Sequence, residues 1–361
     1  MKILYDHQIF SLQRHGGISR YFSELALRSD ANVAVIASDN EYLSAMPYYR
    51  GMTLDGRRRF PGKTTLIKTI NSAFSRIKLM GSGFDVFHPT YYHPYFLAYL
   101  AKRPYVLTVY DMVHEVHPDC FSPNDSTAGW KRKVIRYASR IIAISEFTKQ
   151  ELMRLYGLDG TTIDVVHLAS SFRSRNETPS QGISQIGRYI LYVGTRDRYK
   201  NFDLFARSMA PLLNRESDVR IVCAGGGAFT PRELALIESL GLSERFLQVT
   251  ASDEELAQLY SRARAFVFPS RYEGFGIPVL EAFSCGCPVI VSNAGSLPEV
   301  AGDAGMVVDT NDESALRRSV EQVLSDDKFR ETLIEKGYYR AEQFSWDRVA
   351  RETRSVYERI L

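Results

Sequence analysis

Short apolar runs alternate with helical segments along almost the whole chain, and this alternation restricts the fold more than any other feature. In the first half, the runs typical of buried strands are Lys2–Tyr5, Val33–Ala37, Val86–His88, Tyr105–Val109, Arg140–Ile144 and Ile163–Val166. In the second half, they are Tyr189–Val193, Val219–Ala224, Phe246–Val249, Ala265–Phe268, Val289–Val291 and Met306–Val308. Because strands that alternate with helices form parallel sheets with helices on both faces, the pattern predicts an α/β fold with doubly wound sheets.

The length of the chain and one polar stretch indicate two domains. At 361 residues the chain is long for a single hydrophobic core. Residues 170–187 are rich in Ser, Arg, Gln and Gly and separate the two series, as an interdomain linker does. We therefore predict one Rossmann-like domain over residues 1–172, a second over residues 186–345, and a final helix over residues 346–361.

The composition is that of a soluble globular protein, with 45% hydrophobic and 24% charged residues. The net charge of +3 is too small for the field of a nucleic-acid-binding surface, so we predict no nucleic-acid partner. The cysteines are scattered, which fits a reducing compartment. The N-terminus begins with a strand pattern and no apolar run reaches the roughly 20 residues that span a bilayer. Together these features predict a cytoplasmic protein.

One glycine-rich segment predicts a phosphate site. It runs from Arg271 to Ala282 with the sequence RYEGFGIPVLEA, directly after the apolar run Ala265–Phe268. Pro278 suits the first turn of a helix, so the order is strand, loop, helix. Gly274, Phe275 and Gly276 would offer backbone N–H groups at the positive end of that helix, where phosphates bind. Ser270, just before the loop, could add a hydroxyl donor.

Two carboxylates flank this loop, Glu273 within it and Glu281 in the following helix. A carboxylate beside a phosphate site does not bind the phosphate, because like charges repel. It can instead accept hydrogen bonds from hydroxyls. Phosphates between two hydroxyl acceptors suit a nucleotide-sugar, with the sugar at one end and the ribose at the other.

The spacing E-G-F-G-x-P-x-x-E from Glu273 to Glu281 resembles the signature of retaining GT-B glycosyltransferases of family 4. The resemblance implies two Rossmann-like doubly wound domains that face each other across a cleft. The N-terminal domain would bind the acceptor and the C-terminal domain the nucleotide-sugar, with helix 346–361 crossing back to the N-terminal domain. It also implies that Glu273 contacts hydroxyls of the transferred sugar and Glu281 the ribose.

The resemblance extends to cations and glycines that would face the diphosphate. Related enzymes carry an Arg and a Lys after a strand-end glycine; Lys200 matches the second position and Thr195 occupies the first. Arg196 or Arg198 could replace the missing charge, and we favour Arg196. In the first domain, the paired Gly16 and Gly17 precede a helix and predict a second anion contact. For the nucleobase, the predicted contacts are Val249, Thr250 and Leu256.

In the first domain, the segment from Thr108 to His114 resembles the family's T-x-H-D sequence. Tyr110 takes the place of the histidine, whereas Asp111 is kept. His114 could substitute for that histidine near the donor sugar, and a structural role for it is the alternative. His88, at the end of another strand, could contact the acceptor.

Metal is not predicted. The sequence has no D-x-D triplet and no His/Cys cluster with ligand spacing. We therefore expect no cofactor, with Lys200, Arg196 and helix N-termini neutralising the leaving group.

A basic segment allows two interpretations. Between Arg57 and Lys78 there are basic residues and no acids, while Leu66, Ile67, Ile70, Phe74 and Ile77 recur at helical spacing. Such a helix can lie on an anionic membrane, which would give a peripheral contact through residues 57–80 on the inner face of the cytoplasmic membrane. Alternatively it packs its apolar side on the domain.

Taken together with these features, the resemblance implies a metal-independent retaining glycosyltransferase that passes a sugar to a glycan or lipid-linked acceptor in polysaccharide or lipopolysaccharide assembly. The nearest resemblance, to bacterial mannosyltransferases, makes GDP-mannose the first donor hypothesis. One rival hypothesis is a sugar-nucleotide 2-epimerase-like isomerase, which shares the two-domain architecture but not the E-G-F-G-x-P-x-x-E segment. Another is a non-catalytic nucleotide-sugar-binding protein, which Thr195 and Tyr110 favour and Glu273, Glu281 and Lys200 oppose.

Overall fold

The chain divides into two compact units. The computed structural model describes residues 1–47, 49–54, 62–172, 181–196 and 198–361. The first unit is Met1–Leu168 together with Trp346–Leu361, and the second is Ala169–Ser345. Of the segments discussed above, Arg57–Arg59 and residues 173–180 lie outside the described residues. The contacts group residues 169–172 with the second unit, whereas the sequence had predicted the first domain to extend to residue 172.

The first unit is built on parallel strands. They are β1 (Ile3–Tyr5), β2 (Ala31–Val33), β3 (Ala37–Ser38), β4 (Met52–Thr53), β5 (Val86–His88), β6 (Val106–Val109), β7 (Arg140–Ala143) and β8 (Ile163–Val165). The order is β2-β1-β5 in one sheet and β6-β7-β8 in another, and a parallel bridge between Phe87 and Tyr105 joins the two. β3 and β4 pair separately.

Helices connect these strands. The α-helices of the N-terminal segment are α1 (Gln8–Leu12), α2 (Gly17–Leu27), α3 (Glu41–Ser44), α4 (Lys63–Met80), α5 (Val113–Val116), α6 (Thr127–Ile135) and α7 (Glu146–Tyr156). Single 3₁₀ turns cover Pro94–Ala98, Pro118–Cys120 and Gly160–Thr162. α7 shows why such segments start and stop where they do. The Ser145 side chain accepts from the Thr148 N–H at its start, and Gly157 ends it in the left-handed conformation.

The second unit contains one parallel sheet of six strands. They are β9 (Arg188–Val193), β10 (Val219–Ala224), β11 (Phe246–Val249), β12 (Ala265–Phe268), β13 (Val289–Ser292) and β14 (Gly305–Val308). Their order is β11-β10-β9-β12-β13-β14. This is the doubly wound Rossmann order, in which the direction of winding reverses between the first strand, here β9, and the fourth, here β12.

Helices cover both faces of this sheet. They are α8 (Gln181–Ser184), α9 (Phe202–Arg215), α10 (Pro231–Ser239), α11 (Asp253–Arg262), α12 (Ile277–Ser284), α13 (Leu297–Ala301), α14 (Glu313–Ser325) and α15 (Asp327–Glu342), with 3₁₀ turns at Arg198–Lys200 and Gly302–Ala304. α10 and α11 each begin with a capping box, Thr230 with Glu233 and Ser252 with Glu255. Side chains of β9, β10, α9 and α14 form a continuous buried core.

The last helix, α16 (Trp346–Glu358), belongs to the first unit. Its buried residues recur every three or four positions, as on one face of a helix: Trp346, Val349, Thr353, Val356 and Tyr357. The carboxylate of Asp347 also accepts a hydrogen bond of 2.6 Å from Arg28 in the turn after α2. The apolar stripe and this ion pair attach α16 to the N-terminal segment.

The structure differs from the sequence prediction mainly in short elements. The predicted strand Val33–Ala37 is divided, because Val35 N–H bonds to the Val33 carbonyl at 2.9 Å and turns the chain. The segment after β5, Pro94–Ala98, forms a 3₁₀ turn and not an α-helix. Among the described residues, no helix has the length and apolar composition needed to cross a bilayer.

Candidate functional site

Two of the predicted donor residues of the second unit, Lys200 and Glu273, come together where its sheet reverses winding. Lys200 follows β9 and Glu273 follows β12, and these neighbouring strands flank the reversal. A backbone hydrogen bond from Arg271 N–H to the Tyr199 carbonyl, 2.7 Å, joins the two loops. In open α/β sheets, ligands bind at this position, outside the carboxyl ends of the strands.

Lys200 and Glu273 form an ion pair. The Lys200 Nζ atom lies 2.6 Å from Glu273 Oε1, and their side chains are only 15% and 13% exposed. The Phe268 ring lies 5.4 Å from the same ammonium group. Each charge therefore compensates the other in a largely desolvated place. A ligand with phosphates and hydroxyls could contact both, the phosphate at Lys200 and a hydroxyl at Glu273.

The glycine-rich loop leads directly into α12. Gly276 is the residue before the helix and has φ = 102°, a conformation that L side chains rarely adopt. A Cβ atom there would lie 2.7 Å from Leu297 Cδ2. Gly274 and Phe275 are buried beside it, and Pro278 lies in the first turn as predicted. The helix start therefore has the close backbone approach and positive dipole end that an anion site uses.

A second loop, which the sequence analysis missed, is hydrogen-bonded to the backbone of the glycine-rich loop. Ser296 donates from its N–H to the Glu273 carbonyl at 3.1 Å, and its hydroxyl lies within 3.0 Å of the same carbonyl and 2.8 Å of the Phe275 carbonyl. Gly295 has φ = 63°, and a Cβ on it would lie 2.6 Å from Glu273 O. The signal was present, since β13 is followed by a glycine and then by Pro298 at a helix start, as after β12.

Ser270 lies two residues after the end of β12. It is completely buried, and its hydroxyl has no hydrogen-bond partner among the residues that the structure describes. Its carbonyl accepts from the Ser292 hydroxyl. Since buried hydroxyls are normally satisfied, an unpartnered one at this edge is consistent with a donor kept for a ligand.

Glu281 lies in the second turn of α12 and is 8% exposed. The Tyr260 hydroxyl from α11 donates to its Oε2 at 3.3 Å. Burial, and then the negative charge of Glu281, raise the pKa of Tyr260 well above its usual value, so that hydroxyl keeps its proton and donates. Val249 and Thr250 lie at the end of β11, half-buried and exposed respectively, and Leu256 is half-buried in the first turn of α11.

Arg196 has a different role from the predicted one. Its guanidinium donates to the carbonyls of Gly225, Gly227 and Ala228 at 2.8–3.0 Å, and its Nε donates to Glu233 at 3.0 Å. The side chain is only 2% exposed. This group closes the turn after β10 and has no surface left for a diphosphate, so the structure corrects the prediction.

The turn around Arg196 depends on glycine. Gly225, Gly226 and Gly227 have consecutive φ values of 84°, 68° and 71°. A Cβ on Gly226 would lie 2.7 Å from an Arg196 nitrogen. Only glycine follows this path readily, and it turns successive carbonyls toward the guanidinium.

Asn201 is a further residue that the sequence analysis did not single out. It adopts φ = 60°, which is uncommon without glycine, and its amide donates to the carbonyls of Pro269 at 3.2 Å and Thr310 at 2.9 Å. Asn201 thus holds the loops after β9, β12 and β14 together, directly beside Lys200.

The other predicted site residues belong to the first unit. Gly16 and Gly17 precede and begin α2, as expected, but α1 intervenes between them and β1. The Gln13 side chain accepts from the Ser19 N–H at 3.3 Å. It therefore already satisfies one of the N–H groups that a phosphate at this helix start would use.

Tyr110, Asp111 and His114 follow β6. Tyr110 is 6% exposed, and its hydroxyl has no partner among the described residues. Asp111 accepts from the Val113 N–H at 3.1 Å and lies 3.9 Å from Lys131 Nζ. The His114 ring stacks on Phe121 at 3.9 Å, and burial lowers its pKa, which keeps the ring neutral near pH 7.

His88 is a structural residue and cannot contact an acceptor as predicted. It is fully buried, with Nδ1 at 2.7 Å from the Tyr357 hydroxyl and Nε2 at 2.9 Å from the Thr108 hydroxyl. Both ring nitrogens are therefore occupied. Among the described residues, no group of three or more His, Cys, Asp or Glu side chains is arranged to hold a metal ion.

A parallel Rossmann sheet with a lysine–glutamate pair and a glycine loop at its winding reversal, preceded by a second α/β unit, defines the GT-B class. Residues 15–169 match the family described as Glycosyltransferase Family 4, and residues 174–340 match Glycosyl transferases group 1. The chain therefore belongs to the glycosyltransferases that these two models describe.

Known proteins agree with this assignment. The O-antigen chain mannosyltransferase B of Escherichia coli is 35% identical over 232 residues, which are 61% of each chain, so the match spans about three fifths of that relative. The D-inositol 3-phosphate glycosyltransferase of a Nocardioides species is 27% identical over 76% of this chain and 67% of its own. The crystal structure of HepE from Anabaena with UDP and glucose has a TM-score of 0.73 at 16% identity, covering 99% of both chains, which shows the same fold.

Proposed function

We propose that the protein is a glycosyltransferase that moves a sugar from a nucleoside diphosphate donor to a hydroxyl of a glycan or lipid-linked acceptor in surface polysaccharide assembly. The observation that carries the proposal is the Lys200–Glu273 pair beside the Gly274–Gly276 loop at the winding reversal of the second unit. A nucleotide-sugar supplies the two chemistries that this arrangement accepts, phosphate and sugar hydroxyl.

The donor replaces the ion pair on binding. Its diphosphate accepts hydrogen bonds from Lys200 and from the N–H groups at the start of α12, while a sugar hydroxyl donates to Glu273. As the glycosidic bond breaks, negative charge grows on the departing phosphate oxygen. Lys200 stabilises that charge from a largely desolvated position, where electrostatic stabilisation is strongest.

Transfer proceeds with retention and without metal in this proposal. With Arg196 committed to its turn, Lys200, the Ser270 hydroxyl and the α12 start remain to balance the leaving group. The departing phosphate oxygen takes the proton of the acceptor hydroxyl on the same face of the sugar. Glu281, held by Tyr260, accepts from the ribose hydroxyls.

GDP-mannose is the proposed donor. The 35% identity to an O-antigen mannosyltransferase supports mannose. The half-buried Val249 and the exposed Thr250 offer backbone groups for the base. No side chain takes part in these contacts, so they do not favour guanine over uracil.

The test is a donor-binding panel on the purified protein. The melting temperature is measured with GDP-mannose, GDP, UDP-glucose, UDP-GlcNAc and dTDP-rhamnose, each with and without EDTA, because a ligand that binds the folded state raises it. We expect GDP-mannose to give the largest shift, unchanged by EDTA and abolished by Lys200→Ala. Arg317→Ala, which removes a cation elsewhere in the second unit, is the matched control. A response to UDP-sugars alone would reject the GDP assignment, and no response to any nucleotide would reject the function.

We further propose that α4 contacts an anionic membrane surface. Its buried face carries Asn71 and Ser75, whose side chains bond to the carbonyls of Ala37 and Ala34. The apolar side chains of another face are exposed instead: Leu66 (52%), Ile70 (41%), Ile77 (62%) and Met80 (62%). This helix contains basic residues and no acidic ones. An exposed apolar stripe flanked by basic side chains suits a membrane interface.

Vesicle co-sedimentation tests this contact. We expect binding to phosphatidylglycerol vesicles and little to phosphatidylcholine vesicles, with Ile70→Ser plus Ile77→Ser reducing the bound fraction. Leu234→Ser, which removes an equally exposed apolar side chain from α10, should leave binding unchanged. Equal sedimentation of the double variant and the wild type would contradict the proposal.

A further inference from the structure

The first unit contains a cavity that none of the donor residues lines. Its volume is about 800 Å³, a size typical of ligand pockets. β1 continues into His7 and Gln8, and β5 continues into Tyr91 and His93, all of which line it. In the order β2-β1-β5 the winding reverses beside β1. The cavity therefore lies where doubly wound sheets bind ligands.

One wall of this cavity carries two cations. Lys68 and Arg76 are exposed on the cavity side of α4 and lie about 12 Å apart along the helix axis. Both side chains are long enough to contact one ligand that lies between them. Neither forms an ion pair with another described residue. Burial is the largest cause of the lowered pKa of His7, and the negative charge of Asp6 opposes that shift. The positive charges of His93, Arg76 and Lys68 add to the lowering, so both cations lie near enough to act at the same ring.

His7 presents a fixed hydrogen-bond acceptor. The Ser75 hydroxyl donates its proton to the Ala34 carbonyl at 2.9 Å, so it can only accept from His7 Nδ1, which lies 3.1 Å away. His7 Nδ1 therefore carries the ring proton. Nε2 is left with its lone pair in a ring that stays neutral, and a sugar hydroxyl can donate to it.

Aromatic rings form another part of the lining. Trp130 lies 4.6 Å from the His93 ring centroid, His93 lies 5.9 Å from Tyr95, and Tyr95 lies 5.3 Å from His7. The row combines apolar ring faces with polar edges. Pockets with a few placed polar groups among aromatic side chains hold ligands that have both kinds of surface, as a sugar ring does.

We propose that this cavity binds the acceptor as a saccharide that bears a phosphate, with the phosphate between Lys68 and Arg76, a sugar hydroxyl at His7 Nε2 and a sugar ring against Trp130. A phosphate, as a monoester or a diester, has at least two free anionic oxygens in a tetrahedral arrangement that two separate cations can contact from different sides, whereas the oxygens of a carboxylate lie in one plane. The assignment of the ligand as acceptor rests on the proposed glycosyltransferase function, whereas binding to the cavity does not.

Calorimetric titration of the full chain without nucleotide tests the proposal. The ligands are mannose 1-phosphate, the same phosphate esterified with an alkyl chain, methyl mannoside, inorganic phosphate and methyl glucuronide. We expect mannose 1-phosphate to bind at least about tenfold tighter than methyl mannoside, because even one of the two charge-assisted contacts is worth about that much. Lys68→Gln with Arg76→Gln should abolish that preference. Trp130→Ala should weaken both sugars and leave inorganic phosphate unchanged.

The control variant removes two charges from the same unit outside the cavity, Lys78→Gln with Lys102→Gln, and should keep the preference. Melting temperatures confirm that each variant folds. Equal affinities for mannose 1-phosphate and its alkyl ester would mean that the cavity recognises only the sugar phosphate headgroup, whether it is free or lipid-linked. Tighter binding of the alkyl ester would mean that the ligand is lipid-linked. Both outcomes support the phosphate site.

Equal binding of methyl mannoside and mannose 1-phosphate by the wild type, or a preference that survives in the cavity variant, would overturn the proposal. A glucuronide that binds as tightly as the phosphate would overturn the assignment of phosphate. Nucleotide binding is measured on the same samples, so a protein that binds the sugar phosphate but no nucleotide would reject the transferase function and leave the cavity assignment intact.

Discussion

His88 Nδ1 lies 2.7 Å from the hydroxyl oxygen of Tyr357, although the two residues are 269 positions apart in the chain. Tyr357 is 2% exposed, and its hydroxyl also lies 3.1 Å from that of Tyr5. The contact joins β1 and β5 to α16 inside the core of the first unit. A polar network of this kind is stabilising only while every member keeps its partner.

Tyr357→Phe should therefore destabilise the protein without disturbing its packing. The substitution leaves His88 Nδ1 buried without a partner, which costs about 1–3 kcal/mol in the free energy of unfolding. Chemical denaturation measures the loss. Tyr339→Phe in α15, whose side chain is 70% exposed, is the control and should stay within about 0.5 kcal/mol of wild type. An unchanged midpoint for Tyr357→Phe would show that the network contributes no stability.

His88 also predicts a pH dependence. Burial lowers its pKa to about 3, whereas the unfolded chain has the ordinary value near 6.5. Between these values the unfolded state binds a proton that the folded state does not, so stability is complete above about pH 6.5 and falls as the pH drops toward 3. The loss attributable to this group is about 1.4 kcal/mol per pH unit.

The measurement compares wild type with His88→Gln. The variant should be less stable at pH 7.5, but its melting temperature should decline less steeply between pH 6.5 and 4.5. Other groups titrate in both proteins, so the difference between the two slopes is the informative quantity. Parallel slopes would mean that His88 does not remain neutral in the folded state.

Arg196 and Lys200 should separate stability from binding. Arg196→Ala leaves Glu233 and several carbonyls without their partner, and breaking a buried ion pair costs about 3–5 kcal/mol. We expect a lower melting temperature without any ligand. Lys200→Ala should instead lose the nucleotide-induced shift. Arg232→Ala, whose side chain is 69% exposed, is the control for stability and should change little. A stable Arg196→Ala protein that fails only in nucleotide binding would restore the role first predicted for this residue.

Gly295→Ala should disrupt the glycine loop without touching its side chains. The new Cβ would lie 2.6 Å from Glu273 O at a φ of 63°, so the Glu273 backbone must move. Gly241→Ala has a similar φ of 70° but meets nothing within 4 Å, and thus isolates the strain of the backbone from the clash. We expect both variants to lose about 1 kcal/mol or more in stability, and only Gly295→Ala to lose nucleotide binding.

Glu273→Gln should distinguish binding from transfer. The amide no longer pairs with Lys200, so the diphosphate meets a cation without a competitor and GDP should bind at least as tightly as to wild type. Transfer should fall by about 100-fold, because the carboxylate that orients the sugar is gone. Loss of GDP binding, measured calorimetrically, would mean that Glu273 has a different role.

The sequence predicted the α/β class and both parallel series, because long periodic segments and buried apolar runs depend on local pattern. The GT-B fold was implied by the family resemblance of the segment from Glu273 to Glu281 and not by periodicity. It missed α1, α3 and the β3–β4 pair, which are five residues long or shorter and carry no period to detect. The glycine loop after β12 was identified because a strand, two glycines, a proline and two acids coincide within one short segment.

The role of Arg196 was not predictable in the same way. Its partners are carbonyls of the turn after β10, and they reach it only because β9 and β10 are neighbours in the sheet. Whether a basic side chain after a strand faces a ligand or the next turn depends on that adjacency. The same holds for Ser296 and Asn201, whose partners lie in loops distant in sequence.

The position of α16 has a consequence for the order in which the protein is made. The ribosome must complete the whole of the second unit before it delivers Tyr357 to His88 and Tyr5. Until then the nascent first unit lacks one of its own core elements, and the surface that receives Trp346 and Val349 is open to water. A chaperone that binds apolar surface would therefore find this region open while the whole second unit is being made. Residues 1–168 expressed alone should be less stable than residues 169–345 expressed alone.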